Sequence, residues 1–136
     1  MEIQELQKEG IKRLKQAGIP EARQKANRLL AHLLNLDLVQ LIMKEKEMVT
    51  KKQQEIFFSM VQRLLAGEPI QYILQNQEFM GLPFYITPDV LIPQPDTEIL
   101  VEEALRRLPD NAMVLDLCTG SGCVRYLHCS VWEKGV

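Results

Sequence analysis

Apolar residues return every third or fourth position through the first 66 residues, the spacing of helices that bury one face. Ile3, Leu6, Ile11 and Leu14 form the first stripe, and Gly18 ends it. Pro20 stands where a first-turn proline is tolerated, because its missing N–H would have no partner inside a helix there. Ala22, Ala26, Leu29, Leu30, Leu33 and Leu34 make a second stripe, and Asp37 is placed to cap a short third helix carrying Leu38, Leu41 and Ile42. The fourth segment has the clearest start. Thr50-Lys51-Lys52-Gln53 fits a capping box, in which two orphan N–H groups are satisfied reciprocally. Ile56, Phe57, Met60, Val61, Leu64 and Leu65 then set one broad apolar face toward a core, and Gly67 supplies the stop. Four amphipathic segments with short links predict a small helical bundle over residues 1–66.

After Gly67 the period changes. Pro69-Ile70-Gln71-Tyr72-Ile73-Leu74 begins an extended stretch, Gly81 marks a turn, and Leu82-Pro83-Phe84-Tyr85-Ile86 reads as a returning strand, so residues 71–86 predict a hairpin. Pro88, Pro93 and Pro95 make residues 87–95 a stiff, non-helical linker. Asp96 is placed to cap a helix from about Thr97 to Arg107, with Ile99, Leu100, Ala104 and Leu105 as its apolar side. Pro109-Asp110-Asn111 turns the chain into Met113-Val114-Leu115-Asp116-Leu117, a short apolar run that predicts a buried strand.

Composition narrows the class. Hydrophobic content of 46% and charged content of 25% are ordinary for a globular protein. A net charge of −2 argues against a protein that coats nucleic acid. No apolar run approaches the roughly 20 residues of a membrane span, and the polar start Met1-Glu2-Ile3-Gln4-Glu5 is no secretory signal. A cytoplasmic monomer is expected. Cys118, Cys123 and Cys129 with His128 have neither Cys-x-x-Cys spacing nor a second ligand knuckle, so free thiols are expected and no metal site.

The chemistry lies just after the predicted strand, in Asp116-Leu117-Cys118-Thr119-Gly120-Ser121-Gly122. A glycine-rich turn between a buried strand and a helix lets backbone approach a nucleotide-like ligand without a Cβ collision. It also aims the N–H groups of a helix start at polar ligand atoms. A tight turn alone would use the same glycines, and a strand-end aspartate can simply bond nearby N–H groups. The order of strand, turn and helix favours the ligand reading.

Four motifs carry a resemblance. Gly67-Glu68-Pro69-Ile70-Gln71-Tyr72-Ile73 is similar to the Gly-Glu-Pro-x-Gln-Tyr-Ile signature of release-factor glutamine methyltransferases. Phe79-Met80-Gly81-Leu82-Pro83-Phe84 resembles the segment that follows it, and Val90-Leu91-Ile92-Pro93-Gln94-Pro95-Asp96-Thr97-Glu98 resembles the family's Val-Leu-Ile-Pro-Arg-Pro-Asp-Thr-Glu. Leu115 to Gly122 matches its first cofactor motif. The resemblance implies an α+β chain: an N-terminal helical bundle, a β-hairpin connector, then the first strand of a Rossmann-like, S-adenosylmethionine-dependent methyltransferase domain. It implies that residues 1–66 recognise a class I peptide chain release factor, 67–95 are hairpin and linker, and 96–136 start the methyltransferase domain. The implied reaction methylates the glutamine side-chain amide of the Gly-Gly-Gln loop. Asp116, Cys118, Thr119, Gly120, Ser121 and Gly122 are the implied cofactor residues, with Pro93, Gln94 and Thr97 as further candidates.

Two positions depart from the pattern. Gln94 replaces an arginine, removing a charge and a bidentate donor. Cys118 replaces a glycine, at a cost of about 1 kcal/mol or more if the position needs a positive φ. The family's Asn-Pro-Pro-Tyr loop, which orients the substrate amide, has no counterpart, since no asparagine here precedes a proline. No catalytic residue is therefore assigned, and cofactor binding by this chain alone is expected to be very weak or absent. The resemblance ends at Cys123. Arg125 and His128 stand where a small apolar helix is expected, and shifting Arg125 through Val131 by one nucleotide permits Gly-Ile-Ser-Ile-Ala-Leu with suitable codon choices, so a frameshifted or truncated product is expected. Residues 112–136 should be the least stable part. A non-catalytic, protein-binding helical module is the alternative function.

Overall fold

The protein is described here by a computed structural model covering residues 1–126. Met1–Leu74 forms one compact unit and the chain from Gln75 onward a second.

The first unit is a helical bundle: α1 (Ile3–Gln16), α2 (Ala22–Leu34), α3 (Leu38–Met43), α4 (Lys51–Leu65) and α5 (Ile70–Leu74). Its starts are set by local chemistry. The Asp37 and Gln40 side chains cap each other's N–H groups at 2.7 and 3.0 Å, and Thr50 and Gln53 do the same at 3.2 and 2.9 Å. The first turn of α1 is satisfied by the loop after α3, with Ile3 N–H donating to the Glu47 carbonyl and Gln4 N–H to that of Glu45. Glycines close two helices by the same device. Gly18 (φ 72°) and Gly67 (φ 90°) turn left-handed, so Ile19 N–H reaches Leu14 O and Glu68 N–H reaches Arg63 O.

One core joins all five helices. Leu6 and Leu14 of α1, Ala26, Leu29 and Leu30 of α2, Leu41 of α3, Phe57, Val61 and Leu64 of α4, and Ile70 and Ile73 of α5 are all buried. Gly10 is buried among them, where a Cβ would stand 2.6 Å from Phe57 Cζ. At α4's C-terminus Arg63 grips Glu68 with two bonds of 2.7 and 2.6 Å. Arg13 pairs with Glu9 at 2.9 Å and lies 4.3 Å over the Phe58 ring.

Three expectations need correction in this unit. Residues 70–74 are helical, not extended, because Ile70, Ile73 and Leu74 bury at helical spacing. Tyr72 and Ile73 N–H both donate to the Pro69 carbonyl. The apolar face of α4 is narrower than its stripe: Phe57, Val61 and Leu64 are buried, Met60 and Leu65 half-buried, and Ile56 exposed at 39%. On α3 only Leu41 is buried, since a helix of six residues can turn little more than one side chain inward.

In the second unit β1 (Asn76–Phe79) pairs antiparallel with β2 (Leu82–Tyr85), in the register Asn76–Tyr85 to Phe79–Leu82. Met80 (φ 52°) and Gly81 (φ 77°) are both left-handed, as the twist of a two-residue hairpin loop requires. Pro83 in β2 is acceptable because each strand has only one neighbour. Helix α6 (Pro95–Arg107) follows the linker. Its N-cap is Gln94, not Asp96, because Pro95 with its fixed φ takes the first helical position. Val101 and Leu105 face inward with Phe79, Phe84 and Cys123, while Ile99 and Leu100 are exposed. The expected apolar side of this helix was therefore rotated from the real one.

The expected strand over 113–117 does not form. β1 and β2 are the strands among the described residues, and Met113 and Leu115 are 100% and 81% exposed. An isolated strand has no ladder partner to satisfy its backbone and no second surface to bury its side chains.

Two outcomes test this packing. Gly10→Ala should lower the unfolding free energy by about 1–3 kcal/mol in urea titration, because the buried Phe57 ring must move. The ordinary helix preference for alanine, worth about 1 kcal/mol, works the other way. Arg63 holds the Glu68 carboxyl below its ordinary value of 4.5, chiefly through their hydrogen bond. The pair's contribution is therefore present above that value and fades as pH falls through the depressed one. Both side chains are partly exposed, so it should reach no more than about 1 kcal/mol. The stability gap between wild type and Glu68→Gln should shrink toward zero on acidification below 4.5.

Candidate functional site

The sequence-predicted site residues fall in two places on the second unit. Ala112 N–H closes a turn onto Pro109 O, and the chain then runs exposed to Asp116, which is half-buried. Thr119 Oγ1 donates to Asp116 Oδ2 at 2.8 Å, folding the loop back on the carboxylate. Gly122 N–H donates to Thr119 O at 2.9 Å, and Tyr126 N–H to Gly122 O at 2.9 Å, which starts a helical turn at Cys123. Cys123 is buried against Phe79 and Val101, so the loop is anchored at its far end.

Cys118, Gly120 and Gly122 have φ of 57°, 55° and 77°. A Cβ at Gly120 would point into open space, so nothing on the protein crowds that side of the loop. Cys118 therefore occupies a left-handed position that favours glycine, and it carries the strain weighed in the sequence. Ser121 is half-buried, and Cys118, Thr119 and Gly120 are exposed.

Pro93, Gln94 and Thr97 lie at the start of α6. Pro93 is buried, and Thr97 N–H donates to Gln94 O at 3.0 Å. Gln94 is exposed, and its Nε2 donates to Ile92 O at 3.0 Å. Among the described residues no hydrogen bond joins these three to the 116–122 loop.

One residue escaped the sequence reading. Glu98 Oε1 accepts from Met80 N–H at 2.9 Å, so the first turn of α6 holds the tip of the hairpin. Gln77 Nε2 adds a longer bond of 3.4 Å to Pro93 O. The Phe-Met-Gly-Leu and Ile-Pro-Gln-Pro motifs are thus pinned together as one piece. A hairpin tip whose N–H points away from its own ladder needs such an acceptor, but the sequence names no partner for it. Among the described residues no group of His, Cys, Asp or Glu is placed to hold a metal ion, and His128 and Cys129 lie outside them. No described helix is long and apolar enough to cross a membrane.

The first unit carries a separate cleft of about 420 Å³. The α1–α2 turn, one side of α2 and the Gly67–Gln71 segment form its walls.

Comparison with known proteins decides the family. A family model described as the PrmC N-terminal domain matches residues 5–74, just over half of the chain. The chain belongs to the release factor glutamine methyltransferase family. The member of that name from Geobacter sulfurreducens is 45% identical over 111 residues, covering 82% of this chain and 39% of the relative. That from Borreliella burgdorferi is 45% identical over 100 residues, 68% of this chain and 35% of its own. The Chlorobaculum tepidum protein is 36% identical over 129 residues, 90% of this chain and 44% of its own. This family member thus spans about two fifths of the length of the relatives it matches.

Cys118→Gly should relax the loop. The left-handed φ would no longer strain a Cβ, a gain of about 1 kcal/mol less the added freedom of the unfolded glycine. Amide hydrogen exchange at 119–123 should slow, and unchanged rates would show that Cys118 stores no strain.

Proposed function

We propose that this chain supplies the substrate-recognition domain and the first cofactor loop of a methyltransferase acting on class I peptide chain release factors. The reaction would place a methyl group on the side-chain amide nitrogen of the glutamine in the Gly-Gly-Gln loop. The observation that carries this reading is the pair of matches in one chain. Residues 5–74 fit the PrmC N-terminal domain, and relatives named for release factor glutamine methylation align well beyond it.

In this reading residues 1–66 recognise the release factor, 67–95 connect, and 96–136 open the methyltransferase domain. The cofactor is S-adenosylmethionine, which supplies an electrophilic methyl on a sulfonium. The loop's chemistry suits it. Gly120 and Gly122 expose backbone without Cβ atoms in the way, and Asp116 keeps Oδ1 without a hydrogen-bond partner among the described residues. Asp116, Cys118, Thr119, Gly120, Ser121 and Gly122 would hold the ligand, with Pro93, Gln94 and Thr97 as neighbours. Gln94 can offer only an amide where the family pattern has a guanidinium.

No residue of this chain is assigned to orient the substrate amide, because no asparagine precedes a proline. The role of this 136-residue chain that can be tested directly is therefore recognition of the release factor, with a non-catalytic binding module as the alternative reading. A tagged chain should retain a class I release factor in a pull-down and transfer no tritium from labelled S-adenosylmethionine. Calorimetry should show no cofactor binding in the micromolar range, near −8 kcal/mol. Failure to retain the release factor would overturn the recognition role, and a micromolar Kd would overturn the incompleteness of the cofactor site.

A further inference from the structure

The Gly67-Glu68-Pro69-Ile70-Gln71 signature is only half explained by the fold. Gly67 closes α4, Glu68 binds Arg63, and Ile70 is buried in the core. Pro69 serves the fold through its carbonyl, which starts α5, but its ring and the Gln71 side chain have no such part. Pro69 is exposed, and the half-buried Gln71 side-chain amide makes no hydrogen bond among the described residues. Both line the 420 Å³ cleft, whose opposite wall is α2 with Gln24, Lys25 and Arg28. Gln24 and Lys25 each stand on the same side of α2 as Arg28, four and three residues before it.

Charge in this cleft is unbalanced. Glu68 is neutralised by Arg63, which leaves Glu21 against two cations. Among the described residues neither Lys25 nor Arg28 has an ion-pair partner, whereas Arg13, Arg63, Arg106 and Arg107 are all paired with carboxylates. Lys25 is half-buried at the cleft wall. Ile19, Pro20 and Pro69 add apolar surface, and the two prolines present no N–H to compete for an acceptor. A cleft of this size suits two or three residues of extended chain, with an acidic side chain between Lys25 and Arg28 and an apolar neighbour against Ile19 and Pro20.

We propose that the cleft between α2 and the Gly67–Gln71 segment binds an acidic peptide segment of a protein partner, with Lys25 and Arg28 holding its carboxylate and Gln24 and Gln71 its backbone amides. The proposal deepens the recognition role given to residues 1–66, and a peptide titration separates the two. The probe is Ac-Glu-Leu-Glu-amide, titrated into the full chain while backbone amide signals are followed by NMR. Ile19, Gln24, Gly67 and Gln71 should shift saturably. Ac-Gln-Leu-Gln-amide and Lys25→Gln/Arg28→Gln should each weaken binding by roughly tenfold or more, the loss of charge-assisted bonds. Lys8→Gln/Lys12→Gln, which removes equal charge from α1, should leave binding intact. Three results would overturn the proposal: equal binding of the neutral peptide, equal binding by the α2 variant, or equal displacement of the same signals by inorganic phosphate. If the α2 variant still retains the release factor in the pull-down, the cleft is not where that partner docks, while the broader recognition role stands.

Discussion

Gly10 lies against the ring of Phe57, so close that a single methyl group at this position would overlap it. That approach lets α1 and α4 bury Leu6, Leu14, Val61 and Leu64 in one core, together with the α2 residues Ala26, Leu29 and Leu30. Small residues meet where α1 and α2 pack: the Gly10 backbone faces the Ala26 Cβ. A close-packed interior tolerates no spare methyl at such points. No charged or polar side chain is buried among the described residues, so shape rather than ion pairing sets the bundle.

The two units are stabilised differently. The bundle has caps at Asp37 and Thr50, glycine stops at Gly18 and Gly67, and one continuous core. The second unit has a two-stranded hairpin and a small cluster of Phe79, Val101 and Cys123. It gains rigidity from the bond between Glu98 and the Met80 amide. The 116–122 loop hangs from this smaller framework by Cys123, after the exposed Met113, Leu115 and Leu117. A loop carried by so little buried surface orders the groups of the proposed cofactor site weakly.

Local signals in the sequence translated directly into structure. Thr50 with Gln53 and Asp37 with Gln40 are caps because each needs only its own neighbours within three residues. Gly67 and Gly81 are turns because left-handed backbone suits a residue without Cβ. The helical stripes of α1, α2 and α4 were legible for the same reason, since periodicity is a property of the chain itself. Gly10 was legible in principle, at four-residue steps between Leu6 and Leu14, but a glycine carries no apolar mark.

What remained was decided by partners distant in the chain. Ile70 to Leu74 became helical because a bundle face was there to receive Ile70, Ile73 and Leu74. The inward face of α6 fell on Val101 because Phe79 and Phe84 stand opposite it. Residues 113–117 have the composition of a buried strand but, among the described residues, no strand beside them, and a ladder cannot form from one side. The site divides in the same way. The glycines and Asp116 could be named from the motif alone, whereas the left-handed backbone of Cys118 and the hold of Glu98 on Met80 depend on how the loop and hairpin are anchored. Sequence alone determined which residues could start, stop or line an element, because those preferences act within a few bonds. Tertiary structure decided which faces were buried, because burial needs a second surface that no local pattern contains.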